Sequence, residues 1–251
     1  MPGAPILLLH GQPGSARDWD PVAAALGPDA AAIAIDRPGW DGRTPPADLE
    51  GNAEAALAAL DRASVYAATV VGHSLGAAVA AWLAIAHPDR VRSLVLVAPA
   101  ANIEAIEPVD RLLAAPLVGE LAAALGLGLV GLALAAPQVR RLIARWLALD
   151  ERYLLSVGRG SLAPATWRAF TSDQRAMLSG LPELTARLRA ISVSATIVVG
   201  TADRIVPVAA ARALSREIPG ARLVEFERGG HLLPQRNASE LAELIRGASA
   251  A

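Results

Sequence analysis

Residues 69–84 read TVVGHSLGAAVAAWLA: a β-branched run, a serine two residues from a glycine on either side, then an alanine-rich run at helical period. A strand that turns straight into a helix forces its corner residue to positive φ, and only neighbours without side-chain bulk leave room for that turn. A serine at such a corner stands clear of the backbone at the carboxyl end of a sheet, beside the first amides of the helix. Ser74 is therefore the candidate nucleophile. A hydroxyl attacks poorly at neutral pH unless a base, usually a histidine oriented by a carboxylate, stands within hydrogen-bond reach.

Four histidines are available. His10 ends a strand and opens the glycine-rich loop HGQPGS, where a structural role competes with that of base. His73 adjoins Ser74, and neighbours on an extended segment point to opposite faces. His87, in AHPDR, reads as a helix end stopped by Pro88. His231, in ERGGHLLPQ behind two glycines after the last strand, is the favoured base. For the carboxylate, GTADRIVP puts Asp203 just past the strand ATIVV; the alternative is an Asx turn or helix cap for Val206 onward. The preceding strand end, VAPAAN, offers no acid. A developing oxyanion needs preorganised donors. The amide of Leu75 at the helix start is one, and the amide of Gln12 in HGQPG is chosen as the other, since Pro13 has none. Plain loop-shaping is the competing role of that segment.

These residues need a sheet to carry them. Short Val/Ile/Leu-rich runs separated by helical patterns indicate a parallel sheet with crossover helices. Strands are expected over 6–10, 31–36, 69–73, 93–97, 195–199 and 223–227, and helices over 16–26, 51–63, 75–86, 208–217 and 238–247. Between Pro99 and Ile191 the alternation stops. Leucine- and alanine-rich helical stretches, punctuated by Pro108, Pro116, Pro137, Pro164 and Pro182, indicate a helical lid inserted after one strand. The expected division is a core of residues 1–99 and 192–251 and a cap of residues 100–191.

The net charge of −1 over 251 residues advertises no nucleic-acid surface. All 23 basic residues are arginine, in keeping with a GC-rich codon bias. With no cysteine, disulfides, thiolate metal sites and cysteine nucleophiles are excluded. MPGAPILLLHG lacks the marks of a signal peptide, which predicts a cytoplasmic location. From Leu121 to Val139 the chain is uncharged. A bilayer span wants roughly 20 apolar residues, and Gly126, Gly128 and Gly131 weaken a free-standing helix. The segment is read as a cap helix lining an apolar pocket, with membrane-surface association as the lesser alternative and no stable insertion.

In order, HGQPG, DRPG, GHSLG, the GTAD loop and the GGH segment resemble the α/β-hydrolase fold superfamily, in its capped serine-hydrolase branch, from Ile6 to His231. The resemblance implies an α/β fold with a mostly parallel sheet of about six strands, flanked by helices, with an inserted helical cap. It further implies Ser74, Asp203 and His231 as a catalytic triad, an oxyanion hole from the amides of Gln12 and Leu75, and no metal or organic cofactor. Two departures stand out. The family's amino-terminal hairpin has no counterpart here, so either the sheet is shortened to six parallel strands or the amino terminus is truncated; if it is shortened, the strand at 31–36 becomes an edge that another subunit could cover, so a homodimer is contemplated. DRPGWDGR also departs from the family's usual continuation, and Trp40 either lines the pocket entrance or packs on the surface. Trp40, His73, Leu121, Leu125 and Leu232 are the candidate pocket residues. The lid's leucine-rich composition favours a small to medium apolar ester, thioester or lactone. C–C bond hydrolysis, cofactor-free haloperoxidase or perhydrolase chemistry, and non-catalytic small-molecule reception remain the alternatives.

Overall fold

A computed structural model describes residues 4–250. Strands β1 (Ile6–Leu9), β2 (Ala32–Ile35), β3 (Ala68–His73), β4 (Val91–Val97), β5 (Ser194–Gly200) and β6 (Arg222–Phe226) form one sheet in the order β2-β1-β3-β4-β5-β6. Every pairing is parallel, so all six strands end at one edge. Leu9 is level with Ile35 and Gly72, and His73 with Val97. The chain steps from β1 outward to β2, then returns to place β3 on the other side of β1. Such a reversal opens a crevice at the carboxyl ends of the two strands, and the loops carrying Gly11 and Ser74 leave from there. The strands run as expected and the described residues contain no antiparallel hairpin. β2, only four residues long, is indeed an edge.

Helices cover both faces because each strand in the middle of the sheet buries both sets of side chains. On one face α2 (Leu49–Arg62), α3 (Leu75–Ala86) and α9 (Val208–Glu217) pack over Leu7, Leu9, Val70, Leu94 and Ile197. On the other, α1 (Asp20–Leu26) and the terminal α11 (Ala238–Ala250), preceded by the short α10 (Leu233–Arg236), cover Ile6, Leu8, Val71, Val95 and Val198. The helix expected over 16–26 begins instead as a tight 3₁₀ turn, Ala16–Trp19, before α1. Pro21, in the first turn of α1, is compatible with this start because that position needs no N–H.

Between β4 and β5 the chain is helical: α4 (Pro108–Ala114), α5 (Val118–Ala135), α6 (Pro137–Leu147), α7 (Glu151–Ser161) and α8 (Pro164–Arg187). Pro108, Pro137 and Pro164 open α4, α6 and α8, the position at which proline's missing donor is harmless. Pro182 differs from expectation: it lies inside α8 without ending it. Tertiary packing overrides the local break there, since Leu181 and Leu184 on either side are fully buried in the core beneath α3. α8 thus starts among the inserted helices and ends rooted in the main core.

Candidate active site

β3 hands over to α3 at Ser74, whose φ of 54° and ψ of −120° make it the strained corner of the turn. The flanking glycines are required by contact. A Cβ on Gly72 would lie 2.2 Å from the carbonyl oxygen of Gly76, and one on Gly76 would lie 2.4 Å from that of Leu9. The Ser74 amide is used by Val97 O at 2.9 Å. The amide of Leu75, first residue of α3, points along the helix axis with no acceptor in its own helix.

Asp203 and His231 come together from the loops after β5 and β6. Nδ1–H of His231 donates to Asp203 Oδ2 at 2.8 Å, which turns Nε2 away from the carboxylate as the ring's other nitrogen. The other oxygen, Asp203 Oδ1, accepts from the amides of Ile205 at 2.8 Å and Val206 at 3.1 Å. The two readings of Asp203, histidine partner and Asx turn, are therefore both true, one for each oxygen. Burial pushes this carboxyl upward, but the hydrogen bond and charge of His231, together with those two amides, outweigh it and hold it below the ordinary carboxylate range. A second histidine ties the pair to the elbow. Nε2–H of His73 donates to the backbone carbonyl of His231 at 3.0 Å, and the two rings lie 4.9 Å apart. Burial, reinforced by the neighbouring His231, lowers His73 to about 3, so it is a neutral prop. Among the described residues the Ser74 hydroxyl makes no hydrogen bond; serine–imidazole bonds commonly tighten only when substrate arrives.

The loop HGQPG is held by a buried network centred on Arg37 of DRPG. All five guanidinium N–H groups have acceptors: Nε donates to His10 O at 2.9 Å, Nη1 to Asn52 Oδ1 and Asp173 Oδ1, and Nη2 to Gly11 O at 2.9 Å and Asp173 Oδ2 at 2.7 Å. Arg37 and Asp173 are 0% and 1% exposed. Trp40 Nε1–H adds a donor to Asp173 Oδ2 at 2.9 Å. His10, kept neutral by burial and by the Arg37 charge, donates from Nδ1 to Gly11 O and accepts the Arg37 amide at Nε2. The consequence follows from peptide planarity. With the Gly11 carbonyl committed to Arg37 and His10, the Gln12 N–H of the same peptide points to the opposite side. Gly11 itself abuts Ser74: a Cβ there would meet Ser74 Cβ at 2.8 Å. The Gln12 side-chain oxygen is buried without a partner among the described residues.

Sequence reasoning passed over Arg37 and Asp173. Arg37 carried a signal, since it sits in a quoted motif and immediately follows a strand. Asp173, an isolated acid 136 residues further on in the middle of α8, carried none.

A cleft of about 480 Å³ runs between the 13–21 segment and α7, lined by Ser15, Asp18, Trp40, Arg152, Tyr153 and Ser156 among others. Trp40 therefore does line a cavity. The other candidate pocket residues do not line it. Leu121 and Leu125 stand 62% and 59% exposed, because α5 packs through its small residues and turns its leucines outward. Leu232 is half-buried against Leu134, Ala144 and Leu154, where the inserted helices rest on the His231 loop. His87 is a helix end, as expected, and its Nε2 lies 2.8 Å from Glu54 Oε1. A second groove of about 580 Å³ is lined by Ser194, Gly220 and Arg222 at the amino-terminal ends of β5 and β6, the opposite end of the sheet from Ser74.

Asp18, at the wall of the 480 Å³ cleft, is raised by burial from 3.8 to about 7, against the Ser15 amide, which lowers it. A carboxyl whose native pKa lies above its unfolded value binds its proton more tightly when folded, so stability falls as pH rises across that interval. Asp18→Asn, which keeps an acceptor for Ser15, is expected to raise the thermal midpoint at about pH 8 much more than at about pH 4. Melting curves at the two pH values check this; an equal gain at both would contradict it.

The sequence profile of the alpha/beta hydrolase family matches residues 6–244. The chain is 30% identical to a pimeloyl-(acyl-carrier protein) methyl ester esterase of Neisseria meningitidis serogroup C, covering 96% of this chain and 91% of that one. It is 28% identical to a 2-hydroxymuconate semialdehyde hydrolase of Pseudomonas sp. strain CF600, covering 97% and 86%. Among solved structures, the enol-lactonase from Burkholderia xenovorans LB400 superposes with a TM-score of 0.76 at 22% identity, covering 99% of this chain and 92% of that one.

Proposed function

The chain belongs to the alpha/beta hydrolase family, and from that premise we propose that it is a serine hydrolase that cleaves a small to medium carboxylic ester, thioester or lactone through an acyl-enzyme on Ser74. The observation that carries this reading is the Asp203–His231 pair propped by His73 beside a serine held at positive φ. In the proposed reaction Ser74 Oγ attacks the acyl carbon as His231 Nε2 takes its proton. The oxyanion of the tetrahedral intermediate accepts from the amides of Gln12 and Leu75. Collapse breaks the bond to the alcohol or thiol, which leaves with the proton from His231. Water, deprotonated by the same nitrogen, then releases the acid. Asp203 holds the imidazole in the tautomer that this requires.

The helices α4–α8 serve as the cap, and the cleft beside Trp40 is the proposed approach for substrate. Its lining mixes Arg17, Asp18, Arg152 and Ser156 with Pro13, Tyr153 and Val157, which suits an ester bearing a polar group better than a bare aliphatic chain. Similarity to the 2-hydroxymuconate semialdehyde hydrolase supports C–C bond cleavage as a second reading. The test is labelling with a fluorophosphonate, read by intact mass and peptide mapping, alongside turnover of p-nitrophenyl esters of increasing chain length and polarity. A single adduct on Ser74 with multiple turnovers is expected. A folded protein that takes no label and releases no product would leave a binding role as the better account.

A further inference from the structure

Two of the inserted helices carry apolar surface that the fold does not use. The 18 residues of α5 contain one charge, Glu120 in the first turn, and only 22% of the helix is buried. Gly119, Ala123, Gly131 and Leu134 form its inner side, packed on α7 and α8. On the opposite side Leu121, Leu125, Leu129 and Leu132, spaced four, four and three residues apart, form a continuous stripe with between 59% and 67% of each exposed. α6 repeats the pattern: Ala144 faces inward, while Leu142 and Trp146 stand 69% and 81% exposed on the far side. Contiguous apolar surface of this kind marks an interaction site.

The charges say what covers it. Between residues 121 and 149 the chain has three arginines and no acid. Arg140 turns inward, donating to Leu134 O at 2.8 Å and approaching Glu151 at 4.0 Å. Arg141 and Arg145 are exposed and have no carboxylate partner among the described residues. We propose that the outer face of α5 and α6 docks on an anionic lipid surface, lying in the interface with its leucines and Trp146 among the upper acyl chains and Arg141 and Arg145 at the headgroups. Leucine and tryptophan on one side of a helix with arginine at its rim is the composition of an interfacial helix. Crossing the bilayer would strip α5 from α7 and α8, and at about 1.5 Å per residue it is shorter than a hydrocarbon core of about 30 Å. A second copy of the chain is a poorer fit. A two-fold contact brings the same patch to both sides, and residues 121–149 offer no acid to meet Arg141 and Arg145.

The full-length protein would be mixed with vesicles of phosphatidylglycerol and phosphatidylcholine, or of phosphatidylcholine alone, and floated on a density gradient. Binding to the anionic vesicles is expected, weakened by salt, with a blue shift of tryptophan emission that Trp146→Phe removes. Leu129→Glu combined with Leu132→Glu should lower the partition coefficient more than about tenfold while leaving the melting temperature and hydrolysis of a water-soluble ester unchanged. Arg141→Gln with Arg145→Gln should lower it roughly 25-fold, about fivefold for each charge at the anionic surface. Absence of binding to anionic vesicles overturns the proposal, as does equal binding to both compositions. So does a concentration-dependent dimer that the glutamate variant dissociates. Because the readout is flotation, its failure is separable from failure of the hydrolase reading.

Discussion

Replacing Ser74 by alanine is expected to lower ester turnover by on the order of 10⁵–10⁶ and to remove the fluorophosphonate adduct, while the thermal midpoint barely moves. The size follows from the proposed chemistry, in which the serine oxygen forms the covalent intermediate and nothing else in the triad can substitute for it. The survival of the fold follows from the geometry. Ser74 is held through its backbone, by its amide to Val97 and its carbonyl to Ala77 and Ala100, and its hydroxyl makes no hydrogen bond among the described residues. Positive φ does not forbid alanine here, since Ala98 and Ala148 already adopt 43° and 53°. Turnover and adduct formation that persist at wild-type levels in Ser74→Ala would falsify the assignment of nucleophile.

The second large effect is one of stability. Asp173→Ala is expected to destabilise the protein by about 3–5 kcal/mol, because it leaves the fully buried Arg37 guanidinium without its counter-charge and takes an acceptor from Trp40. Urea unfolding measures this directly; a loss below about 1 kcal/mol would mean that water or a rearranged acid reaches Arg37. The change should also reach the chemistry. Arg37 grips the carbonyls of His10 and Gly11, and the Gly11 peptide aims the Gln12 amide, so loosening Arg37 blurs one of the two proposed oxyanion donors. Below the melting transition, kcat is expected to fall by up to on the order of 10²–10³, the usual consequence of losing such a donor, with KM much less affected. Retention of the wild-type kcat would separate the ion pair from the proposed oxyanion donor.

Much of this arrangement could be read along the chain because it is local. Gly72 and Gly76 report a tight corner at Ser74, the β-branched runs report buried parallel strands, and the positions after those strands report which loops share the carboxyl edge. His231 emerged by elimination among four histidines, and Asp203 by its place one loop earlier. Even the competing reading of Asp203 as an Asx turn was sound, since one carboxylate serves both uses with different oxygens.

What composition could not supply was direction. The leucines of α5 implied an apolar pocket, but whether a leucine faces inward depends on which side of the helix carries residues small enough for close packing. Gly119, Ala123 and Gly131 took that side and sent Leu121 and Leu125 out to solvent. Likewise Pro182 counts as a helix breaker only while the packing of Leu181 and Leu184 is unknown. The bond between Arg37 and Asp173 spans 136 residues, and no local pattern announces it. By itself, then, the sequence determined the parallel sheet, the strand–helix corner at Ser74 and the order of the three triad candidates, since these rest on periodicity, steric room and turn chemistry within a few residues. The tertiary structure alone decided which buried acid braces the HGQPG loop and which face of the inserted helices meets the outside, because both depend on side chains that become neighbours only when the chain has folded.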